Sequence, residues 1–408
     1  MPSSRFRPRA LSLVAAIVAV GSLCLAGCAG SGTGAGAAST PGTASQVKVT
    51  LAAGSGGDSC TMETTSAPAG PVTFTVANES ATGITEVELQ SQQRIIGEKE
   101  NLAPGLKPVS FTVTLGGGSY QLYCPGATKE LQTFTVTGKA AAASGSIQTI
   151  LKKGTVGYGK YVDGVVASMV TAVGNLKTAV DSGNLDQAKD AYALARPFYE
   201  RIESDVDGFV LPGYTATDNS GNLDYLIDMR QSNLDPAAGW HGFHAIERDL
   251  YQAGAITDAT KQLAAELQTN VVKLEALTKK LTYKPEDLAN GAAGLLEEVQ
   301  SSKIKGEEEA YSHLDLVDFA ANVEGAQQAF AFLKPGLKKI DSGLTAQVTK
   351  QFGNVLTLLD GYKDPSVPGG YEIYTPALRT SDANKLSQSV QALQDPLSKI
   401  AEKVATAN

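Results

Sequence analysis

The chain has 408 residues, 42% of them hydrophobic and 19% charged, with 34 basic and 42 acidic side chains and a formal net charge of −8. This acidic balance argues against a nucleic-acid partner, because nucleic-acid binding depends on clustered lysine and arginine. It is better suited to attracting cations.

Residues 1–27 have the pattern of a bacterial export signal. Three arginines precede an apolar run at 11–20 that is too short to span a bilayer. The segment ends in Leu25-Ala26-Gly27-Cys28, which resembles a lipobox, so we expect Cys28 to be acylated and to anchor the mature chain at the outer face of the cytoplasmic membrane. An ordinary signal peptide cut nearby is the alternative.

Residues 28–45 are rich in Gly, Ala, Ser and Thr, a composition typical of a flexible tether. Removal of residues 1–27 takes away three arginines and no acids. The mature chain would then carry 34 − 3 = 31 basic and 42 acidic side chains, a net charge of −11.

Residues 46–138 alternate apolar and polar side chains with a period of two. The runs at 47–51, 72–76, 111–115 and 134–136 are rich in β-branched and aromatic residues, and Gly, Pro or Asn separates them. The pattern predicts an antiparallel β-sandwich large enough to fold alone.

This segment resembles a cupredoxin, in particular the N-terminal domain of EfeO-type iron-uptake lipoproteins. The resemblance rests on the stretches at 58–63, 85–89, 98–105 and 118–124. Blue copper needs two histidines with its cysteine, and this segment contains no histidine, which excludes such a centre. Candidate ligands for copper or iron in this domain are Cys60, Cys124, Met62, Glu63, Glu86, Glu88 and Glu98.

Two hypotheses remain open for Cys60 and Cys124. In an exported β domain, two cysteines usually form a disulfide that joins early and late strands. As thiolates, they could instead ligate a metal ion. A count of free thiols under non-reducing conditions distinguishes the two.

After an Ala, Ser and Gly linker at 139–145, the apolar period changes to three or four, as in 162–180, 344–359 and 386–404. This period is typical of amphipathic helices. Gly and Pro predict helix breaks at 181–184, 211–213, 284–285, 334–336 and 364–370. We predict about eight helices in residues 146–408, packed as two four-helix units around a ligand cleft.

Polar side chains in the helical segment gather in three stretches. In the central one, His244 and Glu247 stand three apart, so on a helix they share one face and could bind one metal ion. Glu200 and Glu203 have the same spacing. Taken alone, each pair has a simpler explanation, as a local hydrogen bond or a solvated face, and the glutamates at 307–309 are most simply a charged helix start.

Together, the stretches 199–203, 242–247 and 311–319 resemble the imelysin-like domain, also called the M75 family, over nearly all of residues 146–405. The resemblance implies the extracytoplasmic component of an EfeUOB-type system, which binds ferrous or ferric iron and hands it to a membrane permease alongside a haem peroxidase. It leaves His241 outside the ligand set. The metal ligands that it implies are His244, Glu247, Glu200, Glu203, Asp218 and Glu308.

The expected fold is therefore multi-domain, with an all-β cupredoxin-like sandwich followed by an all-α imelysin-like double four-helix bundle. The M75 name suggests a metallopeptidase, but the chain has no His-Glu-x-x-His and no Gly-x-Ser-x-Gly motif. A protein that binds acidic polysaccharide through a bridging metal is a second alternative, which the negative charge opposes. Carboxylates with one imidazole suit iron better than copper(I), so we expect iron binding without catalysis.

Overall fold

The computed structural model describes residues 42–91, 94–141, 144–206, 208–215 and 217–407. The predicted signal sequence, the predicted lipidation residue Cys28 and most of the predicted tether lie outside these ranges. Within them, no helix combines the length and the apolar character that a membrane span requires.

The first folded part is a sandwich of two β-sheets. Its strands are β1 (Ser45–Ala52), β2 (Ser59–Met62), β3 (Ser66–Pro68), β4 (Gly70–Asn78), β5 (Val87–Ser91), β6 (Arg94–Lys99), β7 (Val109–Leu115), β8 (Gly118–Tyr123) and β9 (Leu131–Thr137). One sheet has the order β2-β1-β4-β7, and the other has the order β3-β9-β8-β5-β6. The predicted sandwich is confirmed.

The prediction of a wholly antiparallel arrangement is wrong. Strand β1 pairs in parallel with β4, and β3 pairs in parallel with β9. Parallel strands need a long crossover connection. The chain between Ala52 and Gly70, which includes β2 and β3, is long enough to supply one.

Period-two burial builds the core of the sandwich. Phe74, Phe111 and Phe134 lie between the sheets. The ring centroid of Phe74 is 5.2 Å from that of Phe111 and 5.2 Å from that of Phe134. Cys60 in β2 and Cys124 just after β8 form a disulfide, which joins the two sheets. Of the two hypotheses for these cysteines, the structure has the disulfide, so neither sulfur is a thiolate ligand in it.

The second part is helical, and the predicted order of a β-sandwich followed by helices is confirmed. The α-helices are α1 (Ser146–Ser182), α2 (Leu185–Glu200), α3 (Glu203–Val206), α4 (Leu223–Asp228), α5 (Gly242–Glu247), α6 (Asp258–Thr278), α7 (Pro285–Ser301), α8 (Asp315–Ile340), α9 (Ser342–Asp360), α10 (Pro376–Leu397) and α11 (Ile400–Ala405). Helix α1 packs against α2 and α6, with the short α4 and α5 beside them. Helices α7 to α10 form a second group, and α8 contacts both groups.

One predicted helix break is wrong, because α8 runs through Pro335 and Gly336. Proline removes the hydrogen bond to the Ala331 carbonyl, four residues earlier, and its ring crowds that carbonyl. The missing side chain of Gly336 lets Leu151 of α1 pack closely, since a Cβ there would lie 2.5 Å from a Leu151 methyl carbon. Packing of α1 on α8 offsets the lost bond.

The sandwich packs directly on α7 of the helical part. Lys99 of β6 forms a buried ion pair with Glu297 at 2.5 Å. Asn290 donates a hydrogen bond to the Thr112 carbonyl at 2.8 Å. These contacts bring acidic residues of the sandwich next to the polar interior of the helical part.

Candidate metal centre

A close contact between two short helices places His244. Gly242, at the start of α5, has φ +69°, and a Cβ there would lie 2.0 Å from the Ile227 carbonyl oxygen of α4. Only glycine tolerates both the backbone conformation and the contact. As a result, Asp228 at the end of α4 lies beside His244.

On α5, His244 and Glu247 contact each other as their spacing predicts. The His244 Nδ1 and Glu247 Oε2 atoms are 3.0 Å apart, and since a carboxylate only accepts, Nδ1 is the donor. Glu247 Oε1 accepts hydrogen bonds from the backbone amides of Tyr311 and Ser312 at 2.8 and 2.7 Å. A carboxylate held in this way orients an imidazole and leaves its second nitrogen for a metal ion.

The other face of the imidazole is turned towards two carboxylates. His244 Nε2 lies 3.6 Å from Asp228 Oδ1 and 3.5 Å from Glu308 Oε1. Within the described residues, neither Nε2 nor Asp228 Oδ1 makes a hydrogen bond, although Asp228 Oδ1 forms an ion pair with Arg196 Nη1 at 2.6 Å. The three atoms lie within 4.8 Å of one another on buried side chains. One nitrogen and two oxygens so placed could converge on a metal ion at about 2.0–2.2 Å.

A second possible ligand group uses the opposite nitrogen of the same imidazole. It consists of His244, Glu247 and Glu309, with Nδ1 3.9 Å from Glu309 Oε1. Here the imidazole nitrogen is itself engaged, because Nδ1 donates to Glu247 Oε2 at 3.0 Å, whereas Nε2 makes no hydrogen bond within the described residues. Glu309 Oε1 also accepts from the Tyr192 hydroxyl at 2.8 Å and from Arg196 at 3.2 Å. The group at Nε2 is therefore the better candidate.

Buried cations lie among these acids. The fully buried Arg196 forms ion pairs with Glu200, Asp228, Glu308, Glu309 and Asp318. Lys303, also fully buried, lies within 3.6 Å of Glu200, Glu203, Glu298 and Glu308. Arg230 contacts Glu298 and Glu308 at 2.8 and 2.9 Å. Among the described residues, buried carboxylates around these cations outnumber them, so protons or a bound cation must balance the excess.

Burial and neighbouring charges shift the pKa values in this cluster. Burial raises the pKa of Asp228 to about 8, even beside Arg196. Burial alone would lower the pKa of His244, but the carboxylates of Glu247 and Glu308 raise it to about 10. For Glu308, neighbouring cations outweigh burial and hold the pKa well below its usual range. The cluster therefore holds protons that a bound metal ion would release.

A pocket of about 50 Å³ lies beside the cluster, where the sandwich meets the helices. Its lining includes Glu98 and Glu100 of the sandwich with Glu203, Arg230 and Glu298 of the helical part. A larger pocket of about 330 Å³ also lies at this boundary, and neither pocket is lined by Asp228, His244 or Glu308. The small acidic pocket adjoins the candidate centre through Arg230, which lines the pocket and contacts Glu308 at 2.9 Å.

Of the predicted ligands, His244, Glu247 and Glu308 come together, whereas Asp218 does not. Asp218 is an exposed loop residue whose side chain accepts a hydrogen bond from the Ser220 amide at 3.0 Å. Asp228 takes the place expected for it. One signal in the sequence could have identified Asp228. It is a carboxylate at the end of a short, largely apolar segment that precedes the motif with His244 and Glu247.

The remaining predicted ligands of the helical part lie near the centre with other partners. Glu200 and Glu203 contact Lys303 at 3.1 and 3.5 Å. His241 lies outside the ligand group, with Nε2 3.0 Å from the Ala238 carbonyl. The charged helix start predicted at 307–309 is wrong, because α8 begins only at Asp315 and the second and third of these glutamates are buried.

The candidate ligands of the sandwich do not form a group of three potential metal ligands within the described residues. Glu63 is exposed, and Glu88 is buried and accepts a hydrogen bond from Gln90 at 2.6 Å. Met62 packs at the edge of the sandwich core. Glu86 and Glu98, like the other acids of the sandwich, belong to no such group within the described residues. The copper expectation therefore gains no support.

Comparison with known proteins gives a consistent result. The imelysin family, peptidase M75, matches residues 154–400. The chain is 36% identical over 266 residues to an Efem/EfeO family lipoprotein of Staphylococcus haemolyticus, which covers 64% of this chain and 88% of that protein. It is 33% identical over 360 residues to the iron uptake system component EfeO of Escherichia coli K12, which covers 87% of this chain and 90% of that protein. The EfeO of Shigella flexneri matches to the same extent.

Proposed function

Because this chain belongs to the imelysin (peptidase M75) family as an EfeO-type protein, we propose that its helical domain captures iron for uptake at the His244 centre. The proposed ligands are His244 through Nε2, Asp228 and Glu308. Glu247 orients the imidazole through Nδ1. The observation that carries the proposal is the imidazole held by Glu247 on one side and facing two carboxylate oxygens on the other.

The donor chemistry favours iron over a softer metal ion. One imidazole nitrogen with carboxylate oxygens suits hard or borderline cations, whereas copper(I) prefers sulfur. The excess of buried carboxylates around the centre favours a multivalent cation in the same way. Iron is cargo in this proposal, so its binding must be reversible.

The setting proposed for this site is extracytoplasmic. A lipid on Cys28 would anchor the chain, and the tether at 28–45 would let the folded part move above the membrane. The captured iron would pass to a membrane permease of the same uptake system, which also includes a haem peroxidase. Relatives named as a lipoprotein and as an iron uptake system component support this setting.

The peptidase hypothesis has less support from the arrangement of the site. Catalysis would need a carboxylate able to accept a proton from a metal-bound water. Glu247 is the acid of the central motif, but both of its oxygens already accept hydrogen bonds. Release of labelled casein fragments by metal-loaded protein, absent in Glu247→Gln, would support the peptidase instead.

The test is an anaerobic titration of the mature protein with ferrous iron, compared with two histidine variants. We expect the parent to bind iron and His244→Ala to lose this binding. His241→Ala is the matched control, because this histidine lies three positions away and outside the ligand group. Iron uptake by His244→Ala equal to that of the parent would overturn the proposal.

A further inference from the structure

We propose that Arg196 is an internal competitor of the metal ion at the His244 centre and that it keeps capture reversible. This inference rests on the proposed function. Arg196 Nη1 lies 2.6 Å from Asp228 Oδ1, and Nη2 lies 2.8 Å from Glu308 Oε1. These are the two oxygens that face His244 Nε2. A cation that binds all three atoms therefore meets a guanidinium already paired with two of them.

The protein holds this guanidinium close to the ligands. Arg196 lies on α2 and is fully buried, with its guanidinium carbon 5.4 Å from the ring centre of Phe243 and 5.9 Å from that of Tyr199. Surrounded in this way, it cannot swing into solvent. It stays near the centre whether or not it pairs with Asp228 and Glu308.

Three further acids, Glu200, Glu309 and Asp318, provide the displaced guanidinium with a second set of partners. Glu309 Oε1 lies 3.2 Å from Arg196 Nε, and Asp318 Oδ2 lies 3.5 Å from it. Within the described residues, neither oxygen of Asp318 makes a hydrogen bond. A small rotation of the side chain could therefore strengthen the pairing with Asp318 while the metal takes Asp228 and Glu308. When the metal leaves, the guanidinium returns to these two oxygens.

If the role of Arg196 were purely structural, its replacement would have the opposite effect on metal affinity. If Arg196 only held the acids together, its loss would let them spread apart and would weaken metal binding. If Arg196 competes, the loss of its positive charge strengthens metal binding, because the ligand oxygens no longer have to exchange one cation for another. The sign of the change in affinity decides between the two.

The experiment measures the affinity of the mature protein for zinc, a redox-inert probe, and for ferrous iron under anaerobic conditions. We expect Arg196→Gln to bind both at least tenfold more tightly than the parent, a change of about 1.4 kcal/mol. Arg201→Gln is the matched control, because Arg201 directly follows α2 but pairs with Glu324 outside the cluster, and we expect it to bind as the parent does. Unchanged or weaker binding by folded Arg196→Gln would overturn the inference.

Arg196→Lys provides a milder substitution if Arg196→Gln does not fold. Lysine keeps the charge but cannot pair with both oxygens through a planar fork, so we expect its affinity to lie between those of the parent and Arg196→Gln. A crystal structure of the zinc-bound parent tests displacement without any variant. Both Arg196 contacts, to Asp228 Oδ1 and Glu308 Oε1, should be broken in it, and their retention would contradict the inference.

The two proposals fail in different ways. If His244→Ala binds iron as the parent does, the proposed function is wrong. If His244→Ala loses iron while Arg196→Gln does not bind more tightly than the parent, only the role of Arg196 is wrong.

Discussion

Glu247 Oε2 lies 3.0 Å from His244 Nδ1, so two residues expected to bind a metal side by side instead contact each other. The spacing of three on α5 brings them together, but the Tyr311 and Ser312 amides hold the second oxygen of Glu247. In this arrangement Glu247 orients the imidazole, and Nε2 faces the proposed metal ligands Asp228 and Glu308.

Glu247→Gln should weaken metal binding about 10–100-fold without abolishing it. The glutamine oxygen can still accept from the two backbone amides, but its NH₂ group would face His244 Nδ1. The imidazole would then favour the tautomer with its proton on Nε2, the nitrogen proposed to bind the metal. Competition with a chromophoric chelator measures the change. A loss as complete as that in His244→Ala would indicate that Glu247 is itself a ligand.

Removal of the disulfide should affect the sandwich and leave the metal centre unchanged. Replacement of both Cys60 and Cys124 by alanine should lower the stability of the sandwich by about 2–5 kcal/mol, since the bond links residues 64 positions apart. Calorimetry should show an earlier thermal transition, with unchanged iron binding by the helical part. Reactive thiols from Cys60 and Cys124 in non-reduced parent protein would contradict the disulfide.

Asp205 should make stability depend on pH. Burial raises its pKa from 3.8 to about 7, and the Tyr158 hydroxyl donates a hydrogen bond to it at 2.6 Å. Folded Asp205 keeps its proton up to about pH 7, whereas the unfolded chain releases it near pH 4. Its contribution to stability is therefore complete below pH 4, falls as the pH rises towards 7 and is lost above that.

Asp205→Asn tests this dependence, because asparagine resembles the protonated acid at every pH. The fall in melting temperature between pH 5 and pH 8 should become smaller, by about 2–4 °C for each kcal/mol of linkage removed. The control is Asp258→Asn, on an exposed residue at the start of α6. Equal falls in the parent and in Asp205→Asn would contradict the assignment.

Local patterns predicted much of the fold. Period-two alternation and helical periodicity arise because one side of a strand or helix is buried. Both patterns can be read from residues that are close together in the sequence. They predicted the sandwich, the helices and the contact between His244 and Glu247. The break predicted at Pro335 failed because packing between Gly336 and Leu151, which are remote in sequence, offsets the local signal.

The full metal centre could not be predicted, because it depends on contacts between distant segments. Asp228 reaches His244 only because Gly242 packs against the Ile227 carbonyl. Buried Glu308 and Glu309 lie in a turn region, although adjacent glutamates in a sequence usually indicate a solvated helix start. Charge pairing across these contacts has no local periodicity, so no periodic pattern in the sequence predicts which acids and cations pair.

The most direct test of the metal centre is a crystal structure of the iron-loaded protein with anomalous diffraction recorded at the iron edge. We expect a single strong peak in the helical domain about 2.0–2.2 Å from His244 Nε2, with oxygens of Asp228 and Glu308 at similar distances. A peak on the Nδ1 side between Glu247 and Glu309, or full occupancy at a site that does not include His244, would contradict the proposed metal centre.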